Sequence, residues 1–280
     1  MTRSCSVEIM PQPGTCRLCK KERELQDSHF FPASIYKACR DAENNKNPIA
    51  IADGGAAQTS AQMTEYLLCA DCERRLNENG ERWIHLNIAR IDGFPLQKAV
   101  AKATPILAGD EMAGYAGADI PEIDVEKLVY FGLSIFWRAA IHRWKTTDAN
   151  KLTKRIWLGP YEEPIRRFLL GEGAFPDHAV ILVSIWPYTK PPAPIIFHTP
   201  VTENQGAFHS HLFCIPGLDF KLALGKRMPE KLRRICSYRS PEKMIFASTK
   251  AAIKTMETLV KLVADSTPRG KLAIQYRKEA

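Results

Sequence analysis

A chain of 280 residues and 31.5 kDa exceeds a bare metal-stapled module and has room for two domains of roughly 150 residues each. Hydrophobic residues at 45% and charged residues at 25% are the proportions of a folded globular protein, which excludes disorder throughout. The net charge of +8 is uneven: residues 190–280 hold 16 Lys and Arg against 7 Asp and Glu, whereas residues 1–95 hold 12 against 13. A basic surplus of that kind suits a polyanion such as nucleic acid, and equally an ordinary solvated surface. No apolar run reaches the roughly 18 residues that span a bilayer, since the stretch 128–141 is broken by Gly132, Ser134 and Arg138. The first residues carry no apolar h-region of a signal peptide. The expectation is a soluble cytoplasmic protein without a membrane partner. The oligomeric state stays open.

In chain order, residues 1–15 read as a loose arm, and a short helix is expected from Ala33 to Arg40. The polar stretch 41–60, with Gly54 and Gly55, reads as a long loop. A helix begins near Cys72, and Asn79-Gly80 ends it or interrupts it before Trp83. Residues 101–121 are rich in Ala, Gly and Pro without periodicity. The stretch 96–121 is therefore expected as a linker or a surface excursion between a domain over 1–95 and another over 122–280. Residues 122–145 form the clearest helix, apolar on most sides and so deeply buried. A second helix spans Glu162 to Leu170, with Gly171 as its stop.

The period then changes. Ala179 to Trp186 reads as a buried strand and Ile195 to His198 as a shorter one. Phe208 to Ile215 and Phe220 to Leu224 form a hairpin about Pro216-Gly217, and Lys243 to Ala247 is a further strand. Thr249 to Asp265 is a final amphipathic helix. Helices, then a mainly antiparallel sheet, then a C-terminal helix make an α+β domain. Trp137, Trp144, Trp157 and Trp186 are expected in the core. Trp83 reads as core or as a base-stacking platform.

Four of the eight cysteines form two Cys-x2-Cys pairs, Cys16/Cys19 and Cys69/Cys72, with 49 residues between the pairs. In a reducing compartment such knuckles read as a zinc site, each supplying two thiolates to one tetrahedron. A four-thiolate zinc leaves no open position for substrate, so the expected Zn2+ is structural and any catalysis lies elsewhere.

The string Cys-x2-Cys, then Asp27-Ser28-His29-x2-Pro32, then Leu67-Leu68-Cys69-x2-Cys72-Glu73-x3-Asn77, resembles the HNH, or ββα-metal, endonucleases in their zinc-stapled form. The resemblance covers about residues 14–90. It implies a treble-clef zinc domain in which His29 is the general base that activates water. It also implies a divalent ion, Mg2+ or Mn2+, with Glu73, Asn77 and Asp27 as its candidate ligands. Ser28 stands where the family has a metal-binding Asp or His, and Thr64 where it has Asn. The residues support the mapping by their own chemistry. Glu73 and Asn77 lie one turn apart on a helix, and their oxygens are hard ligands suited to Mg2+ or Mn2+. A neutral imidazole can take a proton from water at pH 7.

The expected activity is metal-dependent hydrolysis of phosphodiesters in DNA. Lys226, Arg227, Lys231, Arg233 and Arg234 would hold the nucleic acid. Lys231, Arg234 and Tyr238 share one helical face if a helix begins at Pro229. The alternative is a non-catalytic zinc module, a degenerate HNH fold that binds nucleic acid or protein. Glu81/His85 and His209-x-His211 are weaker candidate metal pairs.

Overall fold

The computed structural model describes residues 12–40, 47–52, 54–145, 153–187, 195–204, 206 and 208–274. Strand β1 (Gln12–Thr15) pairs antiparallel with β2 (Glu22–His29). Helix α1 (Ala33–Ala38) and a small hairpin of β3 (Ile49–Ala52) and β4 (Gly55–Gln58) come next. Strand β5 (Thr64–Cys69) then returns to pair with β2. The register slips between Gln26↔Leu68 and Asp27↔Tyr66, which leaves Leu67 as the extra residue of a bulge. A bulge turns the strand locally, and here the consecutive Leu67 and Leu68 are both buried. The hairpin β3–β4 lies inside the stretch expected as loop, whose residues 41–46 and 53 fall outside the described residues. Gly55, Ala56 and Ala57 carry no β-branched signal, and pairing across the hairpin replaces it.

Helix α2 (Ala70–Leu76), a π-helical turn (Asn77–Glu81) and α3 (Arg82–Asn87) run on without a break in helical backbone. Asn79-Gly80 thus lies in a π-turn that interrupts the α-helix without ending the helical backbone. A Cβ placed there would lie 3.0–3.1 Å from the Cβ, Cα and N of Phe131, so glycine is what lets two helices cross this closely. Residues 96–121 contain most of α4 (Pro95–Val100), together with β6 (Leu107–Ala108) and β7 (Met112–Ala116). Their Ala and Gly pack a tight sheet edge: a Cβ on Gly114 would meet Met244 at 2.8 Å.

Helix α5 (Val125–Ile141) begins at Asp124, whose carboxylate accepts the Lys127 N–H at 3.0 Å. Helix α6 (Glu162–Leu170) ends on Gly171 at φ 73°, the left-handed C-cap that glycine adopts without strain. The remaining elements are β8 (Ala179–Ile185), β9 (His198–Asn204), β10 (His209–Ile215), β11 (Leu218–Leu224), α7 (Glu230–Arg234), β12 (Met244–Ser248), α8 (Thr249–Ala264) and β13 (Thr267–Arg269). Seven strands form one sheet in the order β6-β7-β12-β8-β11-β10-β9, antiparallel except at β12–β8. Strand β13 joins the small hairpin in the order β13-β4-β3.

Helix α5 is the centre of the molecule. Its Phe131 backbone meets Gly80, and the next residue, Gly132, meets the sheet, where a Cβ would lie 2.7 Å from Phe220. Pressed from both sides, the helix has little exposed face, which explains its unbroken apolar pattern. One buried cluster runs from Leu18, Phe30 and Phe31 through α5 to Phe213 and Phe220. Trp137, Trp144 and Trp186 are buried as expected, but Trp157 is 67% exposed. Its ring leans edge-on against His209, 5.5 Å between centroids, outside the core.

Candidate metal centre and the adjoining cleft

Cys16 and Cys19 sit in the turn between β1 and β2, Cys69 ends β5, and Cys72 lies in the first turn of α2. The turn closes through Cys16 N–H to Lys21 O at 2.9 Å and Lys20 N–H to Cys16 O at 2.8 Å. It places Lys20 at φ 61°, a left-handed conformation unusual for a residue with a Cβ. The four sulfurs all lie within 4.8 Å of one another, and Cys19 Sγ is 3.9 Å from Cys69 Sγ. A tetrahedral ion with metal–sulfur bonds of about 2.3 Å requires sulfurs about 3.8 Å apart, so the donor set fits and could hold a metal ion. Contact with Cys72, against a burial penalty, holds the Cys16 thiol down at about 4, and the N–H groups of Cys19, Cys69 and Leu18 add to this. The same contact pushes the Cys72 thiol up. Among the described residues this is the one group of three or more Cys, His, Asp or Glu whose ligand atoms gather so closely.

Beside it opens a cleft of about 610 Å³. His29 enters from the end of β2, Pro32 and Ser34 from the start of α1, and Arg138 from α5. Glu73, Asn77, Glu81 and His85 line it from the α2–α3 helix. Side chains four apart drift around an α-helix, whose turn takes 3.6 residues. The wider π-turn takes up that excess, so all four face one cleft. Glu81 and His85 therefore join the Glu73/Asn77 row across Gly80.

Arg138 is 1% exposed. Its Nη2 lies 2.7 Å from Glu81 Oε1 and 3.9 Å from Glu73 Oε2, and its Nη1 donates to Phe30 O at 3.4 Å. Burial works against the guanidinium charge, and the two carboxylates more than offset it. Burial pushes the Glu73 carboxyl up, while Arg138 and then the Ser28 hydroxyl pull it down. Glu73 Oε1, Glu81 Oε1, Ser34 Oγ and Arg138 Nε are buried without a hydrogen-bond partner, the 2.7 Å approach of Arg138 to Glu81 being an ion pair without hydrogen-bond alignment. Mg2+ or Mn2+ commonly takes only one or two carboxylates from the protein, with water and phosphate completing its shell. Glu73, with an unpartnered oxygen, and Asn77 both line the cleft and are of the kind that demand takes.

The other expected site residues lie elsewhere. Asp27 is outside the cleft lining. Ser28 is buried, its hydroxyl donating to Gln26 O at 3.3 Å and accepting the Leu68 N–H at 3.1 Å, so it braces the bulge. Thr64 pairs with His29 across the strands. Lys226, Arg227, Lys231 and Arg234 are exposed and away from the cleft lining. Arg233 donates to Lys226 O at 2.9 Å, holding the loop before α7. The expected face of Lys231, Arg234 and Tyr238 does not form: α7 stops at Arg234, and Tyr238 stacks on Phe175 at 4.7 Å. Aromatic packing at that point outweighs continuation of a short helix. Trp83 packs on the core. His209 is exposed, while His211 is buried and shares a hydrogen bond with Thr202.

Sequence reasoning passed over Arg138. The available signal was a lone arginine in the apolar run Phe136-Trp137-Arg138-Ala139-Ala140, where a charge needs a buried partner. No family model, curated protein or solved structure matches this chain.

Proposed function

We propose that the protein is a zinc-stapled, HNH-type endonuclease that hydrolyses phosphodiester bonds in DNA. The observation that carries this reading is the meeting of His29, Glu73 and Asn77 on one cleft next to the four-cysteine cluster. Zinc suits the cluster because four thiolates in a tetrahedron are its preferred structural shell. It would tie the β1–β2 turn to the start of α2 and so fix the cleft wall. His29 would accept the proton of the attacking water, while Glu73 and Asn77 would hold Mg2+ or Mn2+, which supplies charge stabilisation at the phosphate. Among the described residues no helix is long and apolar enough to cross a bilayer.

A second reading, a nucleic-acid or protein-binding module without catalysis, is favoured by Ser28. Ser28 stands at the position where the family carries a metal ligand, and its hydroxyl bonds the Gln26 and Leu68 backbone while also acting on Glu73. Incubating the protein with plasmid DNA and Mg2+, Mn2+ or EDTA separates the two. The expected result is cleavage that requires the divalent ion and falls at least 10²–10⁴-fold in His29→Ala, with the cysteine-bound metal retained. Absence of cutting with every metal would favour the binding module, and wild-type rates in His29→Ala would remove that residue's role.

A further inference from the structure

We propose that Arg138 and Glu81 form a counter-ion pair that leaves the Glu73 carboxylate available to a divalent cation in the cleft. This rests on the nuclease reading above and assigns roles to two residues outside the resembling motif. Arg138 and Glu81 are positioning residues.

The geometry is asymmetric. Arg138 Nη2 is in full contact with Glu81 at 2.7 Å but only grazes Glu73 at 3.9 Å. A guanidinium stays charged at any working pH, and its planar fork fixes where its partners sit. Arg138 lines the cleft yet is only 1% exposed, so its charge acts chiefly through the two carboxylates that cover it. What it can do is neutralise one of two half-buried carboxylates. Glu81 takes that role by proximity, as an ion pair whose Oε1 makes no aligned hydrogen bond, while Glu73 stands farther from the guanidinium with its own Oε1 buried and unpartnered. The two carboxylates and one guanidinium sum to −1 at this buried cluster, which favours a cation there, while Arg82 sits on the exposed part of the same cleft wall. With Glu81 absent, the whole guanidinium charge would fall on Glu73 and compete with the metal. The anchor of Arg138 at Phe30 O, one residue beyond His29, ties this charge balance to the strand that carries the candidate base.

Mn2+ titration of the full chain, following free Mn2+ by electron paramagnetic resonance, tests the pair. Cysteine-bound metal and urea midpoint are measured on the same samples. Wild type should bind one Mn2+ at the cleft, and Glu73→Gln should abolish it. Glu81→Gln should weaken Mn2+ binding about tenfold, by leaving Arg138 to face Glu73 alone. Arg138→Gln should strengthen it. Should Arg138→Gln fail to fold, the double variant Glu81→Gln/Arg138→Gln, which removes both charges, should bind at least as tightly as wild type. Opposite signs for the two single variants are beyond a merely structural role, which would weaken binding in both. Unchanged affinity in Glu81→Gln, or equal losses in both, overturns the proposal and leaves the nuclease reading standing. A wild type without cleft Mn2+, or binding that survives Glu73→Gln, overturns the metal role of Glu73 and the proposal with it.

Discussion

His211 shows how one residue couples the core to pH. Its ring is buried, shares a hydrogen bond with Thr202 Oγ1 at 3.0 Å, and lies 6.4 Å from the Phe136 ring. Burial, reinforced by nearby His209, lowers its pKa from 6.5 to about 4. Well above pH 6.5 the ring is neutral whether the chain is folded or not, and stability is unaffected. As pH falls below 6.5 the unfolded chain takes up a proton that the folded chain refuses until about pH 4. Stability therefore declines across that window, by roughly 3 kcal/mol at most. Urea unfolding of His211→Gln against wild type should show a shallower acid decline; parallel curves would mean His211 does not set it. At this scale the sequence was most readable where chemistry is local. The knuckles announce themselves because each pair of thiolates sits on one turn; His29, Glu73 and Asn77 follow from the resemblance to the HNH string, and they line one cleft. Arg138 and Trp157 were not readable. The role of Arg138 arises from contact with Glu73 and Glu81, which lie far away in the chain. Trp157 packs against a surface histidine rather than the core.

At the scale of elements, the α2–α3 helix carries half of the cleft lining, and Gly80 sets its height over α5. The atoms a Cβ would meet include the Phe131 Cα and N, backbone that cannot turn aside. Gly80→Ala gains up to about 1 kcal/mol of helix propensity but overpacks a tight crossing, at a cost of about 1–3 kcal/mol. A net loss of about 1–2 kcal/mol is expected, seen as a lower urea midpoint with an unchanged slope. A more stable Gly80→Ala would show that the helices can separate without cost. The same glycine explains why the sequence leaves a stop and an interruption both open: in isolation Asn79-Gly80 is a stop signal, and only the partner helix makes it a crossing point within a π-turn. Elements with local punctuation were legible, such as α6 with its Gly171 cap and the β10–β11 turn, where Gly217 sits at φ 83°. The pairs β3–β4 and β6–β7 were not. Their Ala and Gly carry weak strand propensity, and long-range pairing of β4 with β13 and of β7 with β12 completes them.

Across the whole molecule, the chain that follows the basic segment meets the N-terminal end of α5, whereas the cleft takes Arg138 from nearer its C-terminal end. The chain leaving α7 reaches Tyr238, whose carbonyl accepts Lys243 Nζ at 2.8 Å, and Lys243 pairs with Glu126 in the first turn of α5 at 3.5 Å. Arg138 follows twelve residues later on that helix, about 18 Å along its axis at 1.5 Å per residue. One turn of duplex DNA spans about 34 Å, so a duplex seated at the cleft is long enough to reach the basic segment as well. If Lys226, Arg227, Lys231 and Arg234 meet phosphates there, each contributes about −0.9 to the slope of log K against log salt. Replacing Lys231 and Arg234 with Ala should then weaken duplex binding and flatten that slope by roughly one to two units, with cysteine-bound metal and cleft Mn2+ unchanged. Arg233 is left in place because it holds the Lys226 carbonyl. Binding is measured between low and moderate salt. An unaltered slope in the double variant would assign these charges to solubility alone and place the DNA contact nearer the cleft rim, where Arg82 is the exposed cation.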